Sequence, residues 1–354
     1  MILLIIIYSA ALMASLPDHI GLDFGNHSVK AVQLRDISRN PSLVAFASQP
    51  TPIGVINSED ESHQAQLADA LRVLYEDGGF RTRNVVAALP EFSIFTRFLE
   101  FPGVKESELE DAIHWQAKQV VPIPMSEIQM SWILLGRDES KNAYRVLLVA
   151  APRKLIDLYV KIVQMAKLDL VAIETEAIAA GRSVYRSANV SDAVILDLGS
   201  QSTDMGIMVG GELLFSQSIA VGSDSLTRAI ASEFSFEYNQ AEEYKRNYGI
   251  DPSQLEGKIY QVLKPVVDSV IAEIRRGIEF FKTRTLKSAP DQFLLIGDGS
   301  LLPGLVVYLS QELMANVQLA DPWNGIKIDK KQEAILSKGR SAYAVAVGLA
   351  LKAE

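Results

Sequence analysis

The stretch Gly21-Leu22-Asp23-Phe24-Gly25-Asn26-His27-Ser28-Val29 returns near the middle of the chain as Leu196-Asp197-Leu198-Gly199-Ser200-Gln201-Ser202-Thr203. Both copies read Leu-Asp-apolar-Gly, then two polar residues and Ser. Strand-like runs flank each copy, 20–22 and 29–34 around the first, 193–196 and 203–209 around the second. A glycine among short polar residues between two such runs predicts a β-hairpin. The aspartate that closes the leading strand stands beside a turn whose backbone N–H groups point outward. There the amides can hold phosphate and the acid a metal ion. One Asp-x-Gly turn is as readily an ordinary hairpin. Two in the same strand context predict a duplicated unit, with two phosphate hairpins facing each other across a cleft.

A chain of 354 residues has room for two or three domains with their own cores. Hydrophobic content of 48% and charged content of 22% belong to a globular protein. A net charge of −9 argues against a nucleic-acid footprint, which needs a basic patch to release phosphate counterions. The absence of cysteine excludes disulfides and thiolate metal sites and fits a reducing cytoplasm. His19, His27, His63 and His114 have no zinc-site spacing. Residues 1–7 are apolar, yet they lack a basic lead and are too short to span a bilayer. The first sixteen residues are set apart as an N-terminal extension, with Met13 as a second possible start and a signal peptide as the alternative.

Hydrophobic periodicity predicts strands at 43–47, 84–89, 94–101, 129–135, 144–151 and 293–296. It predicts helices at 66–75, 105–120, 153–166, 174–185, 223–234, 240–248, 259–281, 305–313 and 341–351. Gly78-Gly79 stops the first helix, Asn239 with Glu242 approximates a capping box, and Pro265 predicts a kink in the long helix. Strand and helix alternate, an α/β signature. Ala177 with Gly181, and Ala344 with Gly348, put small residues one turn apart. Such faces suit close helix crossings, whether at a hinge between duplicated domains or in simple tight packing.

A third glycine-rich turn, Gly297-Asp298-Gly299-Ser300-Leu301-Leu302-Pro303-Gly304, follows a strand and precedes a helix. That context suits close backbone approach to a nucleotide. Leu305-Val306 replace the Lys-Ser/Thr of a P-loop, and Leu302 stands where a dinucleotide fold has its third glycine. Glu242 and Lys245 lie three apart on one helix face, where they can meet ribose and base or form a surface ion pair.

In this order, Asp23-x-Gly, a Glu-led helix near 174–185, Asp197-x-Gly, Ala241-Glu242-x-x-Lys245 and Gly297-x-Gly resemble the phosphate, connecting and adenosine motifs of the actin, heat-shock ATPase and sugar-kinase superfamily. Within it the chain is similar to the type IV pilus assembly family PilM, relatives of the cell-division protein FtsA. The residues that carry this are Ser28-Val29-Lys30, Trp115-Gln116-Ala117 through Pro122-Ile123-Pro124, and Ala344-Val345-Ala346-Val347-Gly348-Leu349-Ala350-Leu351. The resemblance implies an actin-like ATPase fold, two duplicated RNase H-like domains flanking a nucleotide cleft. Subdomain 1A would comprise 17–90 with 167–190 and 335–354, an inserted subdomain 1C would span 91–166, and subdomains 2A/2B would span 191–334. It implies ATP and Mg²⁺ in the cleft. Asp23 and Asp197 would hold the metal through water, and Gly25, Asn26, Ser28 and Lys30 would face phosphate, with Gly199, Ser200, Ser202 and Thr203 opposite. Glu242 and Lys245 would line ribose and adenine, Gly297, Gly299 and Ser300 would back the adenosine, and Glu176 would orient an attacking water. Gln116 and Lys118 depart from the acidic residue that the family often shows after the tryptophan.

The function this implies is a cytoplasmic ATP-binding scaffold of pilus assembly, peripheral to the inner membrane, with at most weak ATPase activity. Its partner would be the N-terminal peptide of a PilN-like protein, taken in a groove between 1A and 1C, with pilus motor ATPases as further partners. Membrane association would be indirect. Two alternatives come from the same superfold. One is an FtsA-like membrane filament, for which Leu351-Lys352-Ala353-Glu354 offers no basic amphipathic tail. The other is a small-molecule kinase, for which Asp204 and Asp224 are the candidate bases.

Overall fold

A computed structural model of the chain describes residues 16–188, 190–285, 287–337 and 339–353. Of the N-terminal extension only Leu16 lies among them. The first sheet is built from β1 (Ile20–Phe24), β2 (Ser28–Arg35), β3 (Ser42–Pro50), β4 (Asn84–Leu89) and β8 (Asp169–Thr175), in the order β3-β2-β1-β4-β8. The second contains β9 (Ala193–Leu198), β10 (Thr203–Val209), β11 (Glu212–Ile219), β12 (Gln292–Ile296) and β13 (Asn316–Leu319), ordered β11-β10-β9-β12-β13. In each, the first three strands run antiparallel and the last two parallel to the first. The duplicated hairpin therefore heads two sheets of the same topology.

Between β4 and α3 (Arg153–Met165) a three-stranded antiparallel sheet is inserted, β5 (Phe95–Pro102), β6 (Ile128–Asp138) and β7 (Ala143–Pro152), in the order β5-β7-β6. Helix α2 (Leu109–Val120) covers one face, with Leu109, Ile113 and Ala117 packed on Leu99, Val146 and Leu148. Trp115 stays on the outside, 63% exposed. Helix α3 packs elsewhere. Its Ile156, Tyr159, Ile162 and Val163 join the core of the first sheet with Leu67, Leu71 and Leu74 of α1 (Glu61–Gly78). α1 begins where Asp60 accepts from the amides of Ser62 and His63, and ends at Gly79 in the left-handed region, φ 71°.

Helix α4 (Glu176–Ala188) crosses α10 (Ala344–Ala350), which lies on β1. A Cβ at Gly348 would stand 1.8 Å from the Ala179 carbonyl, and one at Gly21 would stand 2.2 Å from the Ala346 carbonyl. The small faces are thus a packing requirement, although Gly181 meets Met208 of β10 and not α10. On the second sheet sit α5 (Ser223–Phe234), α6 (Tyr238–Tyr248), α7 (Lys258–Thr285, with Pro265 inside it) and α8 (Leu305–Leu313). α9 (Lys330–Leu336) completes the set.

Several elements differ from the sequence reading. β8 replaces the start of the helix expected from 174, because Leu170, Ala172 and Ile173 are buried where the strand pairs parallel to β4 at the end of the sheet. β11, β13 and α9 were unmarked by any clear periodicity. α6 starts at Tyr238 after Glu237, which gives no side-chain cap, so Asn239 and Glu242 form no capping box. The box in this chain is Asp329 with Gln332, at the start of α9.

Candidate functional site

The two hairpins face each other with the third glycine-rich turn beside them. Their shared cleft is lined by Asp23, Gly25, Asn26, Lys30 and Glu176 from the first half, and by Asp197, Gly199, Ser200, Ser202 and Gly297 from the second. As it stands the cleft holds about 70 Å³ of free space. Ser28, Thr203, Glu242, Lys245, Gly299 and Ser300 do not line it.

Each hairpin is braced from behind. The Thr51 hydroxyl donates to the Gly25 carbonyl at 2.7 Å, and the Thr51 amide to the His27 carbonyl at 3.0 Å. Ser28 lies buried at the start of β2. In the second hairpin the Gly199 amide donates to the Ser202 carbonyl at 2.9 Å. The amides of Ser223 and Asp224, at the head of α5, donate to the carbonyls of Gly199 and Ser200, both at 2.9 Å. Thr203 is buried, its hydroxyl donating to the Val221 carbonyl at 2.8 Å. A Cβ at Gly25 would stand 2.6 Å from the Ser28 carbonyl, and one at Gly199 3.0 Å from that of Ser202. Glycine is what lets both turns close.

One step beyond the turns the copies diverge. Across the first hairpin Asp23 pairs with Lys30, whereas across the second Asp197 pairs with Asp204. The Lys30 ammonium reaches the Asp298 carboxylate at 2.7 Å. Its burial works against the charge, but Asp298 and Asp23 more than offset this and raise its pKa. Asp23 is pushed up to about 6 by burial, with Lys30 pulling down and Asp298 pushing up. Asp197 rises further, to about 8, from burial first and then the Asp204 and Asp23 carboxylates. Glu176 is raised well above the carboxylate range by burial and by Asp204, Asp23 and Asp197. Burial also raises Asp204. Its Oδ2 accepts from Ser202 Oγ at 3.0 Å, while its Oδ1 is buried and, among the described residues, has the Ser218 hydroxyl near it but no well-formed hydrogen bond.

A cluster of buried acids with one ammonium among them attracts a cation. Among the described residues no three His, Asp or Glu side chains converge to ligate a metal by themselves. That donor set fits a hard cation that keeps its waters and takes further oxygens from a phosphate ligand. The two tight, backbone-lined turns fit the phosphate.

Sequence reasoning missed four residues. Asp298 stands between the glycines of the third turn, where attention to Gly297 and Gly299 passed over it. Asp204 was weighed only as a kinase base. Glu91 is buried at the head of the inserted module, its carboxyl pushed up to about 7 by burial, with Ser216 Oγ donating to it and holding it lower than burial alone would. Its amide donates to Glu176 Oε2 at 3.2 Å, so it touches both halves of the molecule. Tyr159 has a buried hydroxyl without a partner, and its pKa is raised by burial and by Glu176 and Asp23. No linear motif marks either of these two.

The remaining candidates serve neighbouring contacts. Gly297 has φ +81°, and a Cβ there would stand 2.3 Å from Asp197 Oδ1. One at Gly299 would stand 2.7 Å from the Leu198 carbonyl. These glycines let the third turn lie against the end of β9. The Ser300 hydroxyl donates back to the Gly297 carbonyl at 2.7 Å and lies 3.0 Å from the Ser341 hydroxyl. Lys245 is buried and reaches Glu242 at 2.6 Å, Thr227 Oγ1 at 2.9 Å and the Ser223 carbonyl at 3.2 Å. Hydrogen bonds from Lys245, Thr227 and Arg246 outweigh burial and pull the Glu242 pKa down to about 2. The pair locks α6 to α5, and it carries Arg246 to within 3.3 Å of His27 on the opposite hairpin. Asp224 accepts from the Tyr238 hydroxyl at 3.1 Å on the exposed side of α5.

Comparison with known proteins agrees with this architecture. The profile of the type IV pilus assembly protein PilM family matches residues 21–354. A solved PilM–PilN type IV pilus biogenesis complex contains a chain 28% identical to this one. It superposes with a TM-score of 0.82 over 95% of this chain and 98% of that one. MreB5 of Spiroplasma citri bound to ADP shares the fold at 15% identity, with a TM-score of 0.53 over 93% of this chain and 94% of that one. Cell division protein FtsA of Bacillus subtilis (strain 168) is 22% identical over 62% of this chain, a match that spans 57% of FtsA's own length. Two sheets of one topology around a hairpin-lined cleft make this an actin-like ATPase fold, and the chain belongs to the type IV pilus assembly protein PilM family.

Proposed function

We propose that the protein is an ATP-binding scaffold of type IV pilus assembly, held at the inner membrane by the N-terminal peptide of a PilN-like protein. Membership of the PilM family supports the setting, and the solved relative belongs to a PilM–PilN complex. The observation that carries the nucleotide reading is the group of buried acids between two glycine turns. In this reading Asp23 and Asp197 hold Mg²⁺ through water, and Gly25, Asn26, Lys30, Gly199, Ser200 and Ser202 face the phosphates. Bound Mg²⁺ supplies the positive charge that these carboxylates lack and screens them from phosphate. Ser28 and Thr203 act as buried braces. Glu242, Lys245, Gly299 and Ser300 shape the adenosine side from one layer behind it, and Glu176 faces the cleft where a water would be oriented. Entry of a nucleotide requires the Lys30–Asp298 and Arg246–His27 contacts to part. Scaffold and not catalyst is the primary role, with pilus motor ATPases as further partners.

Among the described residues no helix is long and apolar enough to cross a membrane. The subdomain layout that fits this reading keeps 1A at 17–90 with 167–190 and 335–354, 1C at 91–166 and 2A/2B at 191–334. The PilN-like peptide lies in the seam between 1A and 1C, with Trp115 at its rim. Recruitment is tested by presenting the chain starting at Met13 with anionic liposomes and, separately, with a synthetic N-terminal segment of a PilN-like protein. Peptide binding without liposome binding is expected. Liposome binding without peptide binding would favour the FtsA-like filament instead.

A further inference from the structure

A groove larger than the cleft lies on another side of the inserted module. It runs between β5 of the module and β11 of the second half, with the end of α7 as its far wall, and encloses about 600 Å³. Among the described residues β5 pairs with β7 alone and β11 with β10 alone, so the two strands approach each other along edges that are not hydrogen-bonded to one another. Strand edges of this length are usually covered or paired, because their free N–H and C=O groups template another strand. Among the described residues no hydrogen bond joins the outward main-chain groups of 95–101 to a side chain or to another element. The walls are apolar and aromatic at Phe98, Phe215 and Phe280, the last 51% exposed.

The charges in the groove favour one sign of ligand. Among the described residues Arg97 on β5 makes no hydrogen bond or ion pair, and neither does Arg284 on α7, which lies over the Phe280 ring, 5.4 Å from its centroid. The acid of the groove, Glu100, is already held by Lys141 at 3.0 Å. What is left uncompensated is two guanidinium groups flanking aromatic pockets, in a protein of net charge −9. Guanidinium groups in such a place bind carboxylates well.

We propose that this groove is a docking site for an extended partner segment that alternates apolar and acidic residues and adds as a strand to the free edge of β5. Backbone bonds to β5 give it affinity. Phe98, Phe215 and Phe280 take the apolar side chains, and Arg97 and Arg284 select carboxylates. The site is separate from the 1A/1C seam assigned above to the PilN-like peptide, and it involves the second half of the molecule. A segment bound there bridges the inserted module to the sheet that carries Asp197.

The test uses the full chain and two fluorescein-labelled eight-residue peptides, one of alternating leucine and glutamate, the other of alternating leucine and lysine. Fluorescence anisotropy should show the glutamate peptide bound at least about tenfold more tightly, since like-charge contacts are strongly disfavoured at such surfaces. Arg97→Glu combined with Arg284→Glu should reverse the preference. Methylation of alternate peptide amides should abolish binding, and hydrogen exchange of 95–101 should slow only when the glutamate peptide is present. Equal binding of both peptides, binding indifferent to the two arginine substitutions, or no binding of either would overturn the proposal. Binding of the PilN-like peptide and of ATP is measured on the same double variant. Both should be retained, so a failure of this groove is distinguishable from a failure of the function proposed above.

Discussion

Lys30 and Asp204 occupy matching places in the two hairpins and differ in charge, and this one difference sets the electrostatics of the cleft. Lys30 offsets Asp23 and Asp298, while Asp204 adds a second acid beside Asp197. In the nucleotide-free protein, Asp204→Asn removes a like charge from a buried site and should raise the melting temperature. Lys30→Ala leaves Asp23 without its counter-charge and should destabilise by about 1.5–3 kcal/mol, the range for a hydrogen bond to a charged group. Scanning calorimetry on the two variants checks both signs. A fall in melting temperature for Asp204→Asn would mean that the carboxylate is better satisfied than the geometry at Oδ1 shows.

At this scale the sequence was partly legible. Asp23, Gly25, Asp197 and Gly199 stand out because their pattern repeats in a linear motif. Asp298, Glu91 and Tyr159 reach the site from segments far apart in the chain, through the packing of the third turn, the inserted module and α3. Only the fold brings them together. Glu242 and Lys245 were visible as a helical pair, but that α5 supplies Thr227 and the Ser223 carbonyl to bury Lys245 is a tertiary fact.

At the scale of elements, the contact of α4, α10 and β1 holds the first half together. Gly348 lets α10 sit on α4, so Gly348→Ala should cost about 1–3 kcal/mol through overpacking. Gly339→Ala, where no atom lies within 4 Å of the added Cβ, should be close to neutral. Urea titrations of both variants make the comparison. The same junction buries an ionic group. Glu174 at the end of β8 accepts from Arg182 of α4 at 2.6 Å and from Lys352, just past α10, at 3.2 Å. Burial alone would raise the Glu174 pKa, but Arg182 and Lys352 prevail and lower it. A carboxylate whose folded pKa lies below its unfolded value contributes stability that is complete above the unfolded value. That contribution is lost as pH falls through the folded one. Glu174→Gln should cost on the order of 3–5 kcal/mol near neutrality by removing the buried carboxylate charge that Arg182 and Lys352 share. The gap from the parent protein should narrow as pH falls below about 4.5, the usual glutamate range. A gap that does not change with pH would show that the loss is one of packing alone.

Element by element, long periodic segments such as α1, α7 and β4 could be read from sequence because their burial repeats along the chain. β8 could not. As a parallel strand buried on both faces it shows a continuous apolar run that shades into the following helix. β11 and β13 are edge strands with little pattern to read, and β13 is only four residues long.

At the scale of the whole molecule, two halves of one topology are joined where α4 packs on β10 and β11 and by contacts across the cleft. The module inserted between β4 and α3 leans on the second half through Glu91 and Ser216. A ligand held between the hairpins would therefore be felt at both halves and at the module. The account rests centrally on Mg²⁺-dependent ATP binding at that point, and isothermal titration calorimetry of ATP with and without Mg²⁺ tests it most directly. Asp23→Ala and Asp197→Ala are each compared with the parent protein after circular dichroism has shown both variants folded. The account predicts that the parent binds ATP only with Mg²⁺. Each substitution should weaken binding by about 1.5–3 kcal/mol, the worth of a charge-assisted contact, which is tenfold or more in affinity. ATP binding of parental strength in both folded variants would contradict it.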